Sequence, residues 1–160
     1  MESPLLTDEE ESTSAKLTRQ AVTFVMHTAL ALVAWVLLMA AGYAINPQNV
    51  PQALILGLSI AVPLAAGFAV NRFRQDEIAV AVWLIGLIWL MIIALWILDM
   101  PTGPNECFQC GATEKLTRTF FSLPRPSGLI DNDGPFLGTW PAAALMGYAL
   151  GAKLGLRRQK

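Results

Sequence analysis

Residues 78–98 read IAVAVWLIGLIWLMIIALWIL, 21 consecutive positions without an Asp, Glu, Lys or Arg. About 20 apolar residues in helix cross the roughly 30 Å hydrocarbon core of a bilayer, so this stretch is long enough to be a span. Three further runs have comparable length: 21–45, 51–70 and 136–156, with 25, 20 and 21 residues. Together they explain why the 160-residue chain is 54% hydrophobic and only 14% charged, where a soluble domain carries about 25% charged residues. The expected fold class is all-α: a polytopic integral membrane protein with four transmembrane helices and one long extracytoplasmic loop over 99–135.

Residues 1–18 differ in kind. Asp8, Glu9, Glu10 and Glu11 are followed by Ser12, Thr13 and Ser14, too polar to bury the surface that would offset ordering entropy, so a disordered acidic tail is expected ahead of a membrane domain over 19–160. The first apolar run is expected to be a retained helix. A signal peptide has a basic leader and a 7–15-residue apolar region, whereas this leader is acidic and the run is 25 residues long. That run holds the only histidine, His27, with Thr23 and Thr28 beside it. An ionisable side chain within a span is a functional candidate, but His27 lies about 9 Å into the run at the helical rise. Two readings stand: a hydrogen-bonded interfacial histidine, or a contact for a proton or a quinone.

The connection 46–50 is uncharged and rich in turn formers, with Asn49 as N-cap and Pro51 in the first turn of the second span. In that span Gly57, Ala61, Ala65 and Ala69 recur every four residues, as do Ala143, Gly147, Gly151 and Gly155 in the fourth. Such small-residue rows let helices approach closely where lipid is as apolar as they are. They serve contacts within one chain, or docking on a second copy or a partner subunit. Pro63 predicts a kink in the second span and Pro141 a break early in the fourth. The short charged connection 71–77 makes spans two and three a tight hairpin.

Orientation follows from the basic residues. Lys16, Arg19, Arg72, Arg74, Lys153, Arg157, Arg158 and Lys160 fall on one side, and only Lys115, Arg118 and Arg125 on the other. Positive-inside asymmetry puts both termini in the cytoplasm. The expected location is a bacterial inner membrane.

The 99–135 loop carries both cysteines, as Cys107-Phe108-Gln109-Cys110. Outside the cytoplasm thiols meet oxidising conditions, and a bridge here would contribute roughly 2 kcal/mol by loop entropy. The same spacing suits thiol–disulfide exchange. In architecture, a four-span chain with an external Cys-x-x-Cys resembles the quinone-linked disulfide-forming membrane proteins and the related epoxide reductases. That resemblance implies a redox role for Cys107 and Cys110. The chain departs from the pattern in lacking the second, relaying cysteine pair. A zinc site needs four ligands, which only a dimer would supply. Leu116, Phe120, Phe121 and Leu123, interleaved with Lys115 and Arg118, predict a short interfacial helix. Asp131-Asn132-Asp133-Gly134 matches only part of a calcium loop and reads as a turn.

No catalytic set, phosphate loop, metal cluster or basic nucleic-acid stripe is legible, and no span has a charge at its centre as ion-coupled carriers do. The expected function is a non-catalytic accessory or assembly subunit of a membrane complex. The alternatives are a membrane thiol–disulfide oxidoreductase and a small oligomeric pore or carrier. Expected partners are the lipid bilayer and other membrane subunits or further copies of the chain, with no cofactor, metal or nucleic acid.

Overall fold

The computed structural model describes residues 4–44, 52–99, 111–121 and 139–156, and every regular element among them is helical. Helix α1 runs Pro4–Ala44, α2 Gln52–Arg74, a 3₁₀ helix Glu77–Val82, α3 Trp83–Asp99, α4 Ala112–Phe121 and α5 Thr139–Gly155. Three stretches are long and apolar enough to cross a membrane: Thr13–Ala41, Leu56–Arg74 and Glu77–Asp99. Their outer faces are apolar, with Val25, Val36, Leu37, Met91 and Leu95 among the exposed side chains, the pattern of helices whose surroundings are hydrocarbon.

Helix α1 begins at Pro4, ahead of the first apolar run. Pro4 starts it, where a missing N–H is harmless. At 41 residues the helix is about 62 Å long, twice the hydrocarbon thickness, and residues 13–22 are all exposed.

Helix α5, as long as α3, is the most enclosed of the long elements. Eleven of its 17 residues are buried, among them Trp140, Leu145, Tyr148 and Gly151. Pro141 does not break it. It is the third residue of the helix, still in the first turn where no intrahelical partner is lost. Pro63 likewise lies buried inside an unbroken α2. The core joins Ala31 of α1, Val82 of the 3₁₀ helix, and Leu145, Tyr148 and Ala149 of α5, with Phe24, Ala66 and Ile85 packed around them.

The α2–α5 seam sets the geometry. Gly147 lies against Ile60, Gly151 against Leu64 and Gly155 against Phe68. Contacts that advance four residues on both helices mean that α2 and α5 run parallel. A Cβ at Gly147 would sit 2.6 Å from the Ile60 carbonyl oxygen and one at Gly155 2.7 Å from that of Phe68. At Gly151 it would collide with the Leu64 carbonyl, and at Gly67 with the Tyr148 carbonyl. Backbone touches backbone along the seam, so only glycine fits. The small-residue row expected on α2 is not the one used. Gly57, Ala61, Ala65 and Ala69 are all exposed, and a Cβ on Gly57 would meet nothing within 4 Å. The buried row is Ser59, Pro63, Gly67 and Asn71, two positions on and therefore about 200° around the helix.

Within the 99–135 stretch, where a short helix is expected around Leu116 and Phe120, α4 forms. It packs beside the second half of α3 and the start of α5. Lys115 Nζ reaches the Leu98 carbonyl at 3.5 Å, and the Thr139 hydroxyl donates to the Phe120 carbonyl at 2.8 Å. Between them Leu90, Met91, Ala94, Leu116, Phe120 and Thr139 line an apolar hollow of about 480 Å³.

Candidate functional site

Where α1, the α2–α3 corner and α5 converge, three polar side chains meet. His27 is fully buried. Its Nδ1 lies 2.7 Å from the Tyr148 hydroxyl and its Nε2 3.2 Å from Asp76 Oδ2. A carboxylate only accepts, so Nε2 carries the hydrogen in the neutral ring and Nδ1 accepts from the tyrosine hydroxyl. Asp76 thus fixes the tautomer and Tyr148 reads its other face. The two rings are tilted by 56° with centroids 5.8 Å apart. Tyr148 is fully buried, while the Asp76 side chain is 31% exposed. The group is therefore an enclosed imidazole–phenol pair with a carboxylate at its rim.

The corner that holds Asp76 is built by its own sequence. Gln75 ends α2 in the left-handed region, at φ 55°, and its N–H bonds the Asn71 carbonyl at 3.1 Å. This is the single-bond C-terminal cap usually made by glycine. A glutamine pays a conformational penalty there, which its side chain offsets: the two hydrogens on Nε2 are shared among the carbonyls of Asn71, Arg72 and Gly155, at 3.0, 3.1 and 3.3 Å. Asn71, also fully buried, uses both ends of its amide. Oδ1 accepts from the Asp76 N–H at 2.7 Å, and Nδ2 donates to the Ala152 carbonyl at 2.8 Å. One side chain therefore positions Asp76 and ties the corner to α5. Arg74 Nη1 donates to Met26 Sδ at 3.0 Å, bringing α1 to the same corner.

Of the residues singled out by sequence, His27 lies at this centre, and Gly147, Gly151 and Gly155 line the seam beside it, with Ala143 half-buried at its far end. Gly57, Ala61, Ala65 and Ala69 lie on the outward side of α2. Cys107 and Cys110 fall outside the described residues, as does the 131–134 turn. Among the described residues no three His, Cys, Asp or Glu side chains come together to hold a metal ion.

Asn71, Asp76 and Tyr148 were not singled out by sequence. A depth count would have found them. If α1 enters a membrane near residue 21, as its sequence leads one to expect, His27 falls at about the same depth as the 71–77 connection and the last turns of the fourth apolar run. Any polar residue on those segments is within reach.

The chain matches no protein-family model, no curated protein and no solved structure.

Proposed function

We propose that the chain is a non-catalytic accessory or assembly subunit of a membrane complex. It crosses a bacterial inner membrane four times with both termini in the cytoplasm. Support for the fourth crossing comes from direction: α5 runs parallel to α2 along the glycine seam, as alternating spans require. A 17-residue helix is about 26 Å long, short of the hydrocarbon thickness by an amount that tilt or local thinning accommodates. The basic-residue asymmetry supports the orientation.

One observation carries the functional reading. The row Gly57, Ala61, Ala65, Ala69 is exposed on α2, opposite the seam that α5 occupies. A second helix-packing surface is left over after the chain has packed itself, and small residues at such spacing favour a transmembrane helix of another subunit. The test is Ala65→Leu in the full chain, extracted in mild detergent. The wild type should run as a hetero-complex larger than the 17.4 kDa chain, and the variant should be released from it with its own fold intact. A wild-type monomer, a homo-oligomer, or a complex indifferent to Ala65→Leu would overturn the reading. Orientation is tested separately by alkylating Cys107 or Cys110 with a membrane-impermeant reagent after mild reduction. Labelling of intact cells is expected, and labelling only after permeabilisation would invert the topology.

A further inference from the structure

We propose that the hollow between α3, α4 and the start of α5 is a binding site for one acyl chain of a membrane phospholipid. Two apolar faces wall it without meeting. Leu90 and Ala94, four residues apart and so on one face of α3, form the first, and Leu116 and Phe120, at the same spacing on α4, form the second. Thr139 completes the lining from α5, and Met91, 58% exposed, stands at the rim. The volume of about 480 Å³ falls within the roughly 300–1,000 Å³ of small-molecule sites. The lining selects the class of ligand. Five of its six side chains are hydrocarbon or thioether, and the sixth, the Thr139 hydroxyl, already donates to the Phe120 carbonyl at 2.8 Å. No lining side chain has a hydrogen left to donate. A polar ligand would give up hydrogen bonds to water and regain few. A hydrocarbon chain gives up none, and it touches two walls at once instead of one helix face.

Depth identifies the source of the chain. Helix α3 belongs to the apolar stretch Glu77–Asp99, whose end is marked by the Asp99 carboxylate and by Trp96, an exposed aromatic of the kind found at membrane boundaries. Lys115 Nζ meets the Leu98 carbonyl there, one of the last four carbonyls of α3, which have no partner within the helix. Helix α4 is thereby held at the level of that boundary, with Thr113, Glu114 and Thr117 exposed. Ala94 and Leu90 lie four and eight residues before Leu98, about 6 and 12 Å deeper at the helical rise. Both depths fall within one leaflet of a hydrocarbon core about 30 Å thick. A lipid of that leaflet reaches them with its headgroup beside α4. Ile92 and Leu95, next to the rim on α3, are exposed, so the hollow is continuous with the apolar outer surface of the helix. A transmembrane helix of another subunit suits the hollow less well, because it would run on past Leu98, where Lys115 joins α4 to α3. The site requires α3 to lie in a bilayer and is independent of the accessory-subunit role.

The test places the full chain in phospholipid nanodiscs containing a small share of a phospholipid with a diazirine midway along one acyl chain. After irradiation, adducts are mapped by mass spectrometry. They are expected on Met91, Ala94 and Leu116, enriched over Val36 and Leu37, which are exposed on the apolar part of α1. The expected enrichment is about threefold or more, a preference of about 0.7 kcal/mol. Ala94→Leu should bring the Met91 and Leu116 adducts down to the α1 level while the thermal transition stays in place. Leu90→Phe, one turn along the same wall, should act alike. Leu95→Phe, exposed on α3 and outside the lining, should leave the enrichment unchanged. Adducts at Met91 and Leu116 no more frequent than at Val36 and Leu37 overturn the proposal, as would follow if another segment of the chain or a second copy covers the hollow. Enrichment that survives both Ala94→Leu and Leu90→Phe overturns it too. The α1 positions are read in the same sample, so the two ways of failing are separable. Absence of adducts on both helices removes the membrane reading and the site with it, whereas a labelled α1 beside an unlabelled hollow removes the site alone.

Discussion

The two ends of the helix bundle are built on opposite principles. At the Asn71–Asp76 corner, backbones touch through glycine, and polar side chains bond across three helices. At the α4 end, long apolar side chains stand around a hollow of about 480 Å³, and a threonine hydroxyl on one carbonyl ties α4 to α5. In lipid, apolar contact alone does little to hold helices together, because the bilayer offers the same contact. Close approach and hydrogen bonds are what distinguish a packed helix from a free one. The corner should therefore be the specified end and the hollow the tolerant one.

The largest effect should come from Gly151→Leu. Even its Cβ would collide with the Leu64 carbonyl, and main chain cannot move aside as a side-chain tip can. Overpacking at such a site costs about 3 kcal/mol or more, enough that the full chain should lose its thermal transition in detergent or fail to accumulate. A stable, normally folded Gly151→Leu would break the seam as described. Asn71→Leu comes next, at about 2 kcal/mol, because it strips the Asp76 N–H of its partner and the α5 tether at once. Titration with a denaturing detergent measures it. A loss under about 0.5 kcal/mol would mean that the corner holds without Asn71.

Tyr148→Phe sharpens the same comparison on a smaller scale. It preserves the ring in the core and removes only the hydroxyl that donates to His27 Nδ1, leaving a buried acceptor unpaired for about 1–2 kcal/mol. The double variant with His27→Leu should cost less than the sum of the two singles, since once the imidazole is gone the hydroxyl has no partner to lose. Strict additivity would argue that the 2.7 Å contact contributes nothing.

Much of this division was legible in the sequence. The apolar runs announce the helices, and Gly147, Gly151 and Gly155 announce a close-packed face on α5. What could not be read is which side of α2 meets that face. Two rows at four-residue spacing share the helix: Gly57-Ala61-Ala65-Ala69, which looks like a packing row, and Ser59-Pro63-Gly67-Asn71, which does not. Tertiary hydrogen bonding of Asn71 to Ala152 and the clearance at Gly67 decide for the second. Neither is a property of residue size along one helix. His27 was visible as a lone polar residue, but its partners come from 49 and 121 residues away, beyond any local pattern. Helix α4 was visible in outline, as alternating apolar and basic residues, whereas its docking on α3 depends on the second half of α3 running past the start of α5.

The smallest effect is the one that tests the tolerant end. Ala94→Leu adds to the hollow the same side chain whose insertion at Gly151 should be ruinous there. Ala94 lines a space bounded by Leu90, Met91, Leu116 and Phe120, so the added carbons have room and displace nothing but whatever apolar medium fills it. Because that medium is as favourable to leucine as the protein is, little stability should be gained or lost, within about 0.5 kcal/mol of wild type. The contrast between two leucines, one at each end, is what carries the conclusion. If Ala94→Leu destabilises as strongly as Gly151→Leu, the hollow is already filled by a closely fitted group and the α4 end is specified after all. If both are tolerated, the glycine seam is looser than its backbone contacts imply.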